Sequence, residues 1–119
     1  WNKKQLDIAN LYKKNLNKVL TTPIFDLKIS NPTFHQYIVR TKYRNKLKKF
    51  LEKSNIDTAV HYPIPIHKQM AYKKQFGNIV LPMTEKFSKE ILSLPINPHM
   101  TKAEVNYVIK KIKEFFNKK

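Results

Sequence analysis

Cysteine is absent from the 119 residues, which excludes disulfides, thiolate nucleophiles and cysteine-based zinc sites together. The absence is compatible with a reducing cytoplasm. Glycine occurs once, at Gly77, so there is no glycine-rich loop to cradle a phosphate. No apolar run reaches the length of a membrane span. Nor does the start read as a signal peptide, because Trp1-Asn2-Lys3-Lys4 leads straight into an amphipathic pattern. A start without methionine points to a fragment or a processed chain. Arginine is scarce too. With arginine only at Arg40 and Arg44, 22 of the 24 basic residues are lysine.

What the sequence does have is charge of one sign. Eight acids stand against those 24 bases, for a net +16. Such a balance invites a nucleic-acid or anionic-membrane partner. Readers of bases and phosphates, however, draw on arginine's bidentate fork, and these lysines are spread along the whole chain. The charge therefore reads mainly as a solvated surface, with any polyanion attraction weak and salt-sensitive. Hydrophobic residues make up 41%, enough to fold one ordinary domain despite the charge.

Periodicity places the elements. Leu6, Ala9, Tyr12, Leu16, Val19 and Leu20 recur at three and four, predicting a helix over 2–20 that Thr21-Thr22-Pro23 ends. A weakly alternating arm over 24–29 and a turn at Asn31-Pro32 follow. Phe34 to Arg40 reads as a strand of mixed faces. Thr41 offers an N-cap to a helix through about Lys53, and Asn55 suits a left-handed position beyond it. Ile56 to Val60 reads as a short strand, and Gln69 to Phe76 as helical turns stopped at Gly77. A helix over 84–92 and a strand over 93–96 precede the clearest element. There Thr101-Lys102-Ala103-Glu104 is a capping box, followed by the stripe Val105, Val108, Ile109, Ile112, Phe115 and Phe116, with lysines in the last turn. The order predicts an α+β layout, a small sheet of three or four strands with helices packed on one face.

The stretch His61-Tyr62-Pro63-Ile64-Pro65-Ile66-His67 is the least generic. Its prolines hold imidazoles and a phenol on a stiff, extended backbone suited to placing a ligand. The spacing of His61 and His67 supports no metal centre, and His35 and His99 could join one only through tertiary structure. No nucleophile elbow and no carboxylate pair for acid–base work is visible. Aromatic and basic residues interleave at Tyr37, Arg40, Tyr43 and Arg44, as a single-strand stacking surface would, though Tyr37 and Tyr43 equally suit the edge of a core.

Several segments together resemble one family. The run from Asn55 to Tyr72, the strand His35-Gln36-Tyr37-Ile38-Val39-Arg40, and the segments Pro82-Met83-Thr84-Glu85 and Ser88 to Pro95 resemble the C-terminal domain of DegT/StrS-type sugar aminotransferases. Trp1 to Lys4 and Ile8 to Tyr12 are similar to that family's inter-domain helix, and order and spacing agree over nearly the whole chain. Asn55 and Asp57 stand where glycines are common in the family, so local loop shape there can differ.

The resemblance implies residues 1–20 as inter-domain helix and 21–119 as the small domain of a fold-type I pyridoxal-phosphate (PLP) enzyme. It further implies a homodimer that moves an amino group, usually from glutamate, onto a nucleotide-linked keto sugar. The cofactor lysine and the acid that pairs with the pyridine nitrogen would lie in an N-terminal domain outside this chain, leaving these residues inactive alone. His61, Tyr62 and His67 would face or hold the substrate, and His35, Tyr37 and Arg40 would support the small-domain side of the cleft. The alternative is a small basic module that binds nucleic acid or another polyanion.

Overall fold

Apolar stripes at helical spacing need a common core, and the chain supplies one. The computed structural model describes residues 1–30 and 32–118. In chain order it has α1 (Asn2–Leu16), β1 (Tyr37–Arg40), α2 (Arg44–Glu52), two short 3₁₀ turns (Ile66–Lys68 and Met70–Tyr72), α3 (Lys73–Phe76), α4 (Pro82–Glu90), β2 (Ile91–Leu94) and α5 (Lys102–Asn117). The predicted turn at Asn31 lies outside the described residues.

β1 and β2 pair antiparallel, with Tyr37 opposite Leu94 and Val39 opposite Leu92. All four side chains are buried, together with Ala9, Tyr12 and Leu16 of α1, Leu47 and Leu51 of α2, and Val105 and Ile112 of α5. α1 and α2 both pack on α5, so three helices cover the core face of the sheet. Tyr12 ties the layers by donating its hydroxyl to Pro95 O at 2.8 Å.

The sheet is narrower than the predicted three or four strands. Two further segments touch it through single bridges, Thr21 to Arg40 on one edge and Ala59 to Ser93 on the other. Pro23 cannot donate to a ladder, and the proline loop begins just after Val60, so neither segment extends its pairing. The arm over 24–29 forms no strand. Asp26 O instead accepts from the amides of Ile29 and Ser30, and Asp26 Oδ1 accepts from Lys28 N.

Helix ends moved for local reasons. α1 stops at Leu16 rather than residue 20, because Thr21 N and O are both engaged by Arg40. α2 starts at Arg44 with Tyr43 as its N-cap; the Thr41 hydroxyl accepts from Tyr43 N, two residues too early to cap the helix. Pro82 occupies the first turn of α4, where its missing N–H costs nothing, and Ile91 begins β2 instead of ending that helix. Asn55 has φ 55°, the left-handed position expected of it. The capping box on α5 is formed in both directions, but no lysine lies in that helix's last turn.

Candidate functional site

The proline loop crosses the face of the sheet opposite the core. Tyr37 and Val39 point inward, so alternation turns Ile38 and Arg40 outward. On that outer face the Arg40 guanidinium stacks 3.8 Å over the Phe87 ring of α4. One register further along, Ser93 of β2 meets the loop: its Oγ lies 2.9 Å from His61 Nδ1, and its backbone exchanges two hydrogen bonds with Ala59. The His61–Tyr62 peptide bond is cis.

Past Tyr62 the loop stands out from the surface. Tyr62, Ile64 and Ile66 are 71%, 54% and 68% exposed. His67 then turns back in. It is 7% exposed, and its Nε2 donates to Glu85 Oε1 at 3.0 Å. The same oxygen accepts from Leu81 N at 3.2 Å, with Lys68 Nζ at 3.7 Å. The His67 bond, then the Leu81 amide, hold the Glu85 carboxyl below the usual carboxylate range.

Of the residues singled out from the sequence, His35 and His61 come together, lining a hollow of 370 Å³ with Asp57, Thr58 and Ser93. The Thr58 hydroxyl is buried with no hydrogen-bond partner among the described residues. Tyr62 lines a neighbouring groove of 320 Å³ with Ile64, Phe87 and Ile91. A larger hollow of 680 Å³, between α1 and the start of α5, is lined equally by apolar and by polar or charged residues and includes none of the proline loop.

Tyr37 is fully buried in the core, and burial pushes its phenol up to about 12, with the Thr22 side chain exerting the lesser, opposite pull. Arg44 is also buried, donating to Ile91 O and Asn45 Oδ1. Neither is available to stack on a nucleic-acid base. Sequence reasoning missed Ser93 and Glu85. Ser93 was legible only as the one polar residue in Ile91-Leu92-Ser93-Leu94, and Glu85 only as an acid in the first turn after Pro82.

The family model of the DegT/DnrJ/EryC1/StrS aminotransferases matches residues 1–113. The chain belongs to that family. Among similar proteins, the pleiotropic regulatory protein of Geobacillus stearothermophilus is 40% identical over 84 residues, covering 70% of this chain and 23% of its own. The dTDP-3-amino-3,4,6-trideoxy-alpha-D-glucose transaminase of Streptomyces venezuelae is 37% identical over 89 residues, covering 72% and 23%. The solved structure of DesV from S. venezuelae superposes with a TM-score of 0.88 at 32% identity, covering 97% of this chain and 32% of DesV. This DegT-family chain thus spans less than a third of each of these relatives.

Proposed function

We propose that this chain is the C-terminal part of a PLP-dependent aminotransferase that transfers an amino group, from glutamate, to a nucleotide-linked keto sugar. Its proline loop forms the substrate-side wall of the active site. The observation that carries this reading is the loop's mounting, with His61 held against Ser93 beside an open hollow and Tyr62 projecting next to it. In this reading His61 and Tyr62 contact the nucleotide sugar, His67 holds the loop from beneath, and His35, Tyr37 and Arg40 support the wall. The similarity to a dTDP-amino-sugar transaminase supports the substrate class.

PLP supplies the electron sink and the carbonyl that carries the amino group. The residues here do not fit it by themselves. A lysine amine becomes nucleophilic when desolvated or set beside another cation, and no lysine among the described residues is buried. In this reading the cofactor and its lysine lie in a domain outside these 119 residues, with α1 as the connecting helix and a second copy completing the cleft. A cytoplasmic location follows from the nucleotide-sugar substrate.

The test has two arms. In the complete protein, His61→Ala or Tyr62→Phe should weaken use of the nucleotide sugar more than use of glutamate; unchanged kinetics in both half-reactions would sink the assignment. In this chain alone, PLP with borohydride should label no single lysine, and labelling at one specific lysine would overturn the placement of the cofactor.

A further inference from the structure

The proline loop is pinned at both ends by an imidazole, and the two pins differ in kind. His61 rests on Ser93, part of the rigid sheet. His67 rests on Glu85, whose side chain also gathers Leu81 N and Lys68 Nζ on one oxygen. That carboxylate closes the whole excursion from His67 to Leu81 at its base. No residue from 68 to 87 is buried, so the excursion has no apolar core of its own to fix its course. The Lys68 contact is exposed and worth little, whereas the His67 imidazole is buried and its Nε2 has no other partner among the described residues. Glu85 is itself well placed: it sits in the first turn of α4, where the helix dipole favours a negative charge.

We propose that Glu85 is a positioning residue for nucleotide-sugar recognition, acting through His67 to set where the proline loop presents Tyr62. The inference rests on the reading of the loop as the substrate-side wall. Glu85 touches no reacting atom in this account. Its effect is to remove the freedom of the loop's C-terminal foot before substrate arrives, and such preorganisation appears in substrate affinity ahead of turnover.

In the complete protein, Glu85→Ala should raise KM for the nucleotide sugar about tenfold, with kcat and the KM for the amino donor within about twofold. Glu85→Gln, which keeps an acceptor for His67, should recover most of the loss. Amide hydrogen exchange in peptides spanning residues 61–69 should accelerate in Glu85→Ala with the global melting temperature little changed, because the core lies elsewhere. Should Glu85→Ala fail to fold, Glu85→Asp withdraws the carboxylate by one methylene and should show the same pattern at smaller size. Equal losses toward both substrates, or an unchanged nucleotide-sugar KM with unchanged exchange, would overturn the proposal. If His61→Ala and Tyr62→Phe impair nucleotide-sugar use while Glu85→Ala does not, the positioning role alone fails. If all three leave nucleotide-sugar use intact, the wall reading fails and takes this proposal with it.

Discussion

His61 Nδ1 and Ser93 Oγ lie 2.9 Å apart although 32 residues separate them in the chain. The contact joins a loop that cannot pair regularly to a strand whose partner is already in place. Ser93 is 7% exposed, so removing its hydroxyl takes away the imidazole's anchor on the sheet. Ser93→Ala in the complete protein should raise KM for the nucleotide sugar about three- to tenfold and leave the glutamate half-reaction unaffected. Stopped-flow measurement of the two half-reactions checks this, and a parallel loss in both would count against a loop-specific role.

Two tyrosines should resist alkaline titration. Burial, with Tyr37 adding, pushes the Tyr12 phenol above its ordinary range, and burial pushes Tyr37 up to about 12. Both folded values are raised, so their contribution to stability is fully present below the ordinary phenol range and is lost as pH rises beyond it. Absorbance of phenolate on raising pH should therefore show a late phase that coincides with loss of the circular dichroism signal. Replacing both by phenylalanine should remove that phase; phenolate from Tyr12 in a still-folded chain would contradict the burial seen here.

The capping box on α5 gives a prediction with a known sign. Thr101 Oγ1 accepts from Glu104 N at 3.2 Å, and Glu104 Oε2 accepts from Thr101 N at 2.7 Å. Thr101→Ala should cost about 1 kcal/mol in denaturant unfolding. The bonds that the Glu104 carboxyl accepts from Thr101 N and, at 2.8 Å, from the Thr101 hydroxyl hold it below its usual range. A depressed folded value means the contribution is present above the ordinary carboxylate range and lost as pH falls through the lowered one. The difference between wild type and Glu104→Gln should accordingly shrink on acidification.

Ile112 is fully buried among the helices and the sheet. Ile112→Ala should destabilise the chain by about 2–5 kcal/mol, from lost transfer energy plus a residual cavity. Chemical denaturation measures it directly, and a cost below about 1 kcal/mol would mean that the core collapses around the gap.

Polyanion binding should follow salt alone. Tyr37 and Arg44 are buried, which removes half of the aromatic–basic surface that a stacking site would use. Any association with duplex or single-stranded oligonucleotides should collapse between about 50 and 200 mM salt. A sequence preference that survives the higher salt would support a dedicated nucleic-acid site.

Much of the fold was legible because short-range rules decide it. The stripes of α1 and α5, the capping box and the left-handed Asn55 depend on neighbours within a turn, and each stands where the residues place it, except that α1 ends at Leu16, short of Val19 and Leu20. The width of the sheet was not legible. Pairing at Thr21 and Ala59 depends on partners 19 and 34 residues away, and each of these contacts is a single bridge. The proline loop divides the same way. Prolines made it stiff and extended by local sterics, and the family pattern drew attention to its histidines. Only the tertiary structure assigned them different tasks. It brought Ser93 under His61 and Glu85 under His67, leaving one imidazole beside an open hollow and the other buried. Burial and partner choice are properties of the assembled layers, and no spacing along the chain encodes them.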